Sequence, residues 1–332
     1  MKKVFILTEG GENIGFGHIT RCTALYQAFE EKGIIPKFIV NGDDSVIDLL
    51  VGKNYEIFDW INEKKRLLEI IKNVDIAIID SYLTDIDIYE TISECVKISV
   101  YLDDNKRLNY PKGVVVNGAI YAEELNYPVK KGVTYLLGSK YMPLRKEFWN
   151  VPEKEIKENI ESVMITFGGD DIRNITPKIL CILKQDFPEL IKNVVIGKGF
   201  KNVREIEELK DDKTNLIYYP DAEDMKNIML ESDIAISAAG QTLYELARVG
   251  TPTVAIAIAK NQFDNVKGWV KTGFMEYAGW WSDKHVFNNI YNCLEKIASF
   301  QSRKEKNQKG ILHIDGKGSK KIVSKIIDNL IG

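Results

Sequence analysis

The 332-residue chain has little of what special architectures need. Its four cysteines, at 22, 95, 181 and 293, show no CxxC spacing, and its three histidines, at 18, 285 and 313, form no HxxxH pair. Neither a disulfide framework nor a structural zinc is expected, and the cysteines read as buried thiols. Apolar runs such as Val254 to Ala259 stay far below the roughly 18 residues that a membrane-spanning helix requires. Excess positive charge is also missing: 45 Lys and Arg stand against 48 Asp and Glu, a net charge of −3. No long-range field draws in nucleic acid or anionic lipid. The opening MKKVFILTEGG carries only four apolar residues between its basic pair and Thr8, too few for the h-region of a secretory signal. The expectation is a cytoplasmic protein with no nucleic-acid partner and no membrane span; the sequence assigns no oligomeric state.

What is present is an ordinary globular composition, 45% hydrophobic and 28% charged, in a length that suits two domains at roughly 150 residues each. Short unalternating apolar runs recur at 4–7, 38–40, 76–79, 98–102 and 114–116, and again at 163–167, 193–197, 216–219, 234–237 and 253–258. Each is strand-sized, and unalternating apolar strands belong to sheets buried on both faces. The two series predict an α/β protein of two doubly wound domains, 1–150 and 163–315, with a cleft at the carboxyl ends of their sheets. The charged segment 151–162, opened by Pro152, reads as the interdomain linker. In the tail, 301–332 carries eight basic and three acidic residues, the pattern of a solvated helix face. Within it, Ile322, Val323, Ile326, Ile327 and Leu330 recur at helical spacing, so 316–332 is expected to dock as a helix at the interdomain region.

The first strand runs into a glycine-bearing turn, Gly10 to His18, followed by a helix with Ile19, Cys22, Leu25, Tyr26 and Phe29 on one face and Gly33 past its end. This puts His18 in the first helical turn. There the dipole and the unpaired N–H groups disfavour an imidazolium and keep the ring a neutral base; Arg21 pushes the same way. The competing reading is a histidine that only caps the turn. Gly15-x-Gly17 lacks the third glycine of a dinucleotide fingerprint, Thr20 standing in its place, and the next strand ends in Asn41-Gly42-Asp43 rather than a clear acidic anchor. Asp315 to Ser319 lacks phosphate-loop spacing, so no cofactor is expected.

In the second half, Ala238-Ala239-Gly240-Gln241-Thr242 leads from a strand into the helix that Gly250 ends. Such small-residue turns expose N–H groups able to hold a diphosphate, with Ser237, Gly240, Gln241 and Thr242 as candidate ligands. Glu245 suits two ribose hydroxyls, yet Thr242 and Glu245 also match a capping box. Phe167-Gly168-Gly169-Asp170-Asp171 is a second such turn. Asp80, Asp103 and Asp104 stand at strand ends, where capping and loop hydrogen bonds compete with a divalent-metal role; the metal assignment is none. The DxD at Asp85 and Asp87 falls at a helix start and reads as incidental. Tyr277, Trp280 and Trp281 are expected to pack in the core, the alternatives being a sugar or the interdomain seam.

Taken in order, Ile14-Gly15-Phe16-Gly17-His18 with Arg21-Cys22, YLLGSKYMPLRKEF at 135–148, ITFGGDD at 165–171, SAAGQTLYELARVGTP at 237–252, Lys260-Asn261-Gln262 and Ile314 to Gly318 resemble the UDP-sugar hydrolase family of pseudaminic acid biosynthesis. The related spore-coat polysaccharide proteins share the pattern. The resemblance implies a GT-B architecture, two Rossmann-like domains with UDP held mainly by the second. It also implies metal-independent hydrolysis of UDP-2,4-diacetamido-2,4,6-trideoxy-altropyranose, with His18 as the catalytic base. Substrate contacts would come from Gly17, Arg21, Gly168, Gly169, Ser237, Gly240, Gln241, Thr242 and Glu245, with Asn261 and Gln262 on the sugar side. One departure stands out: Leu7-Thr8-Glu9 occupies the place where relatives commonly carry Arg-x-Asp. The alternatives are a GT-B glycosyltransferase, a hydrolysing UDP-N-acetylhexosamine 2-epimerase using Asp80, Asp103 and Asp104, and a non-catalytic nucleotide-sugar binding module.

Overall fold

The computed structural model describes residues 2–12 and 14–331. The chain forms two compact units, Met1–Lys146 with Gly316–Gly332, and Glu147–Asp315. The first unit runs β1 (Val4–Gly10), α1 (Gly17–Glu30), β2 (Lys37–Gly42), α2 (Ile47–Leu50), β3 (Tyr55–Ile57), α3 (Lys64–Ile71), β4 (Ile76–Asp80), α4 (Ile86–Cys95), β5 (Ile98–Leu102), β6 (Gly113–Asn117) and β7 (Val133–Leu137). Its sheet has the order β3-β2-β1-β4-β5-β6-β7, with every pair parallel. The second unit runs β8 (Ser162–Thr166), α5 (Thr176–Asp186), β9 (Ile191–Ile196), α6 (Val203–Leu209), β10 (Thr214–Tyr218), α7 (Ala222–Glu231), β11 (Ile234–Ala238), α8 (Thr242–Val249), β12 (Thr253–Ala257), α9 (Phe263–Thr272), β13 (Met275–Trp280), α10 (Val286–Ile297) and α11 (Phe300–His313); α12 (Gly318–Ile331) then returns to the first. The second sheet, also parallel throughout, has the order β10-β9-β8-β11-β12-β13.

These are the doubly wound α/β sheets that the apolar runs predict. The central strands β1, β4, β8, β11 and β12 are buried at every residue, which is why they read as unbroken apolar segments. In each sheet the connections leave in opposite directions from one central pair, β1 and β4 in the first unit and β8 and β11 in the second. Ligands of open α/β sheets bind outside the carboxyl ends of the strands at such a switch point. Thr8 pairs with Asp80 there in the first unit and Thr166 with Ser237 in the second.

Three strands, β3, β7 and β13, are absent from the sequence expectation. Two of them are sheet edges whose residues are mostly half-exposed, β3 and β7. The third, β13, is an edge strand whose irregular pairing between Ala255 and Ile256 of β12 breaks the pattern.

Residues 151–162 are not a free linker. Lys154 is buried and its Nζ donates to the carbonyls of Met229, Leu230 and Ser232 at 3.0, 2.6 and 2.7 Å. Arg303, fully buried in α11, donates to the carbonyls of Lys157 and Glu158 at 2.9 Å each. The charge of Lys154 is spent on carbonyls of the second unit and the segment's own carbonyls take Arg303, neither of which hydropathy can register. The same residue corrects the reading of the tail as a solvated face: Arg303, Lys306 and Asn307 of α11 are buried, and Lys306 pairs with Glu276 at 2.6 Å.

Helix α12 docks within the first unit. Ile322, Val323 and Ile326 are fully buried, Ile327 is half-buried, and the side chain of Leu330 lies outside the described residues. Ser319 Oγ donates to the Leu144 carbonyl at 2.9 Å. A Cβ on Gly318 would sit 2.0 Å from the carbonyl oxygen of Met142, so the helix approaches this closely only through glycine.

Candidate active site

The turn after β1 is closed by Gly11 and Gly15, which exchange backbone hydrogen bonds of 3.2 and 2.8 Å. Gly11 has φ +149°, and a Cβ there would lie 2.4 Å from Oδ2 of Asp43, so the tight turn needs glycine. It delivers the chain into α1 at Gly17, placing His18 in the first helical turn as expected, while Ile19, Cys22, Leu25, Tyr26 and Phe29 bury the opposite face.

The imidazole does not face solvent alone. His18 Nδ1 lies 2.8 Å from Oδ1 of Asp80, the last residue of β4, which is completely buried. Arg21, one turn along α1, forks onto the same carboxylate: Nε donates to Oδ2 at 2.9 Å and Nη2 to Oδ1, while Nη1 reaches Asp104. Such bidentate charge-assisted bonds fix orientation as well as charge. Tyr82 closes the cluster, its hydroxyl donating to Asp104 and its ring edge-on to His18, with centroids 4.7 Å apart.

The electrostatics depart from the sequence expectation of a depressed histidine. Burial does lower the pKa of His18, and Arg21 acts in the same direction. The charge of Asp80, its hydrogen bond and the more distant Glu9 outweigh both, so the imidazole is raised above its ordinary value. A buried carboxylate opposite the ring wins over the helix dipole, whose effect is confined to the first turn and is modest. Asp80, although burial opposes its charge, is held well below the usual carboxylate range by Arg21 and His18. An ionised Asp80 accepts, so neutral His18 carries its proton on Nδ1 and presents the lone pair of Nε2.

Glu9, the residue of the Leu7-Thr8-Glu9 departure, is a side chain beside His18 that sequence reading did not place in the site. It is buried at the carboxyl end of β1 and its carboxylate accepts from the hydroxyl of Ser81 and the amides of Tyr82 and Leu83, the last two at 2.7 and 3.4 Å. Its Oε1 stands 3.7 Å from His18 Nε2. The available signal was its place at a strand end next to a glycine turn, on the strand that neighbours β4.

Asp103 accepts from the amides of Asn105 and Arg107 at 3.4 and 3.2 Å and from the Tyr127 hydroxyl at 2.6 Å. It therefore organises a loop, the fate weighed against metal binding in the sequence. Among the described residues no group of three or more His, Cys, Asp or Glu is arranged to hold a metal ion. Asp85 precedes α4 without capping it through its side chain.

In the second unit the remaining candidates gather at the carboxyl ends of β8, β11 and β12. Gly168, at φ +81°, and Gly169 form the open turn after β8, with no atom within 4 Å of a Cβ built on either. Asp171 then accepts from the amides of Ile175 and Thr176 at 3.0 and 2.9 Å and starts α5. Ser237 is fully buried at the end of β11, and Gly240 lies 3.4 Å, measured from a built Cβ, from Nε2 of Gln262. Gln262 in turn accepts from the amide of Ile258 at 2.9 Å, and Asn261 precedes it in the same short 3₁₀ turn. Thr242 is already helical and Gln241 occupies the N-cap, without a side-chain capping bond. The capping-box reading of Thr242 and Glu245 is therefore not realised, since its threonine would have to precede the helix. Glu245 is buried on the first turn of α8.

Asn265 of α9, unmarked by any sequence motif, holds this turn. Its Nδ2 donates to the carbonyl of Ala239 at 2.8 Å, while its Oδ1 accepts from the Tyr244 hydroxyl at 2.5 Å. Trp280 packs on Phe263 and Trp281, and the Arg173 guanidinium lies 4.7 Å from the Trp281 ring centroid. These aromatics pack within the unit.

Comparison with known proteins agrees with the motifs. The glycosyltransferase family 28 C-terminal domain matches residues 162–326. The UDP-2,4-diacetamido-2,4,6-trideoxy-beta-L-altropyranose hydrolase of Campylobacter jejuni is 26% identical over 83% of this chain and 99% of its own. The spore coat polysaccharide biosynthesis protein SpsG of Bacillus subtilis is 22% identical over 95% of each chain. A Helicobacter pylori protein, named as both pseudaminic acid cytidylyltransferase and the same hydrolase, is 25% identical over 79% of this chain, which spans only 46% of that relative. Among solved structures, MurG of Acinetobacter baumannii has a TM-score of 0.67 at 16% identity, covering 98% of this chain and 99% of its own. The MnaA–UDP structure of Staphylococcus aureus has 0.66 at 14%, covering 99% and 98%. No described helix is long and apolar enough to cross a membrane. By these relationships the chain is similar over most of its length to the diacetamido-trideoxy-altropyranose hydrolase of C. jejuni and to SpsG, and it has a GT-B fold in which residues 162–326 match the glycosyltransferase family 28 C-terminal domain.

Proposed function

We propose that the protein is a UDP-releasing nucleotide-sugar hydrolase that acts on a UDP-activated diacetamido-trideoxyhexose in nonulosonic acid biosynthesis. The observation that carries this reading is the buried Asp80–His18 pair, which leaves Nε2 of a neutral imidazole as the basic atom at a switch point of the first sheet. A positioned base of this kind suits activation of water. The relatives of C. jejuni and H. pylori named as hydrolases of such a UDP-sugar support the choice of substrate.

The second unit would bind UDP. The open Gly168–Gly169 turn and the Gly240–Thr242 entry to α8 offer backbone N–H groups for a diphosphate, stabilising the charge that develops as it leaves. Ser237 and Gln241 would line that turn, Glu245 would take the ribose hydroxyls, and Asn261 with Gln262 would approach the sugar. Gly17 leaves the start of α1 open to the substrate. Arg21, forked onto Asp80 and Asp104, acts chiefly as a positioning residue for the base.

In this reading water attacks the anomeric carbon. Its oxygen bonds to C1 as the C1–O bond to the β-phosphate breaks, the electron pair leaves with UDP, and His18 Nε2 takes one proton of the water. A single displacement inverts the anomeric centre. Incubation with a panel of UDP-sugars in ¹⁸O-labelled water, followed by NMR and mass spectrometry, tests it. Label in the free sugar is the expected result. Label in the UDP phosphate overturns attack at carbon, turnover only with an added acceptor identifies a transferase, a 2-epimeric sugar product identifies an epimerase, and unaltered substrate identifies a binding module.

A further inference from the structure

The imidazole of His18 is flanked by two carboxylates, one on each ring nitrogen. Asp80 engages Nδ1 at 2.8 Å. On the other side, Glu9 Oε1 is 3.7 Å from Nε2, too far for a direct hydrogen bond but a spacing that lets one oxygen atom lie about 2.8 Å from both. Glu9 is no mobile surface acid. It is 1% exposed, and the Ser81 hydroxyl and the Tyr82 and Leu83 amides pin its two oxygens from the turn after β4. This carboxylate therefore comes to Nε2 already oriented.

We infer that Glu9 is a water-orienting residue: it accepts one O–H of the nucleophilic water while His18 Nε2 accepts the other, aiming the remaining lone pair at the anomeric carbon. The inference rests on the hydrolase reading above. One water proton passes to Nε2 as the C–O bond forms and UDP departs with its electron pair; the second stays on the new sugar hydroxyl, hydrogen-bonded to Glu9. Glu9 does not bond to carbon, because its oxygens are held by the Ser81–Leu83 turn.

A water molecule has two O–H groups for these two acceptors, whereas an alcohol has one. Glu9 should therefore favour water over methanol as nucleophile, a preference that a purely structural residue would not create. The experiment follows UDP-2,4-diacetamido-2,4,6-trideoxy-β-L-altropyranose in water containing methanol, reading the ratio of methyl glycoside to free sugar by NMR in the wild type, Glu9→Gln and Glu9→Asp. In Glu9→Gln, kcat falls about 10- to 100-fold, the scale for a misplaced reactant, and the methanol ratio rises several-fold. Glu9→Asp keeps the charge but retracts it by one methylene, so its ratio rises part-way; it serves alone if the glutamine variant does not fold. An unchanged ratio in a folded variant overturns the inference even if kcat drops, since Glu9 would then only brace the turn. Retention at the anomeric carbon in the wild type also overturns it. A wild type that releases no UDP overturns the hydrolase reading itself, and this inference with it.

Discussion

His18 Nδ1 and Asp80 Oδ1 are 2.8 Å apart, and because Asp80 is fully buried and also forked by Arg21 the pair has a single arrangement. The contact fixes the tautomer that makes Nε2 basic. His18→Gln keeps a side chain able to donate to Asp80 but supplies no base. Turnover is expected to fall by about 10² to 10⁴, with folding and UDP affinity by calorimetry nearly unchanged. Turnover like that of the wild type would remove His18 from the mechanism.

The same contact sets the pH dependence. The proposed mechanism needs the base form of His18, whose pKa is raised above the ordinary 6.5 with Asp80 the strongest raising influence. Activity should therefore be lost as pH falls through a value above 6.5, leaving an acid limb in kcat/KM. In Asp80→Asn the raising charge is gone while burial and Arg21 still lower the pKa, so the limb moves to lower pH. Turnover at high pH falls as well, since an amide also stabilises the other tautomer. Profiles of both proteins, with melting curves to verify folding, decide it; a limb that stays in place excludes Asp80 as the cause.

How far the sequence could carry these conclusions depends on the range of each interaction. The buried strands and the His18 turn were legible because they are written in contiguous residues: an unbroken apolar run means a strand covered on both faces, and a glycine turn followed by helical spacing fixes where His18 falls. The direction of the His18 pKa shift was misread because its strongest raising partner, Asp80, arrives from β4, 62 residues away, brought beside the turn by the parallel pairing of β1 and β4. The segment 151–162 was misread for a related reason. Its Lys154 is satisfied by the carbonyls of Met229 to Ser232, dozens of residues away, and no local pattern announces that.

Glu245 is buried on the first turn of α8, the turn to which the proposed function assigns the ribose. Glu245→Ala should weaken UDP binding by roughly 1.5 to 3 kcal/mol, the scale of hydrogen bonds to a charged group. Calorimetry with UDP alone reads this directly. A drop in melting temperature with unchanged affinity would make the residue structural.

Asn265 acts on the same turn from behind, tying Ala239 to Tyr244. Asn265→Ala leaves the buried Ala239 carbonyl and the Tyr244 hydroxyl without this partner, and stability should fall by about 1 to 3 kcal/mol. Because the Gly240–Thr242 backbone loses its support, UDP affinity should fall too, while Asn265→Asp restores only the acceptor for Tyr244 and not the donor to Ala239. Chemical denaturation and UDP calorimetry on the two variants separate these effects. Full affinity in a destabilised Asn265→Ala would show that the turn keeps its shape without the tie.

Activity should persist in EDTA. The carboxylates that stand nearest the base are already committed: Asp80 to His18 and Arg21, Asp104 to Arg21 and Tyr82, Glu9 to the Ser81–Leu83 turn. A divalent ion would have to displace a bidentate guanidinium to use Asp80, exchanging one set of charge-assisted bonds for another. In the proposed function, glycine-turn amides and the helix starts of the second unit would hold the diphosphate without it. Turnover measured before and after exhaustive chelation checks the point. Loss that magnesium or manganese restores would mean that Arg21 yields Asp80 and Asp104 to a metal during the reaction, and Arg21→Lys, which cannot fork, would then bind that metal more tightly than the wild type.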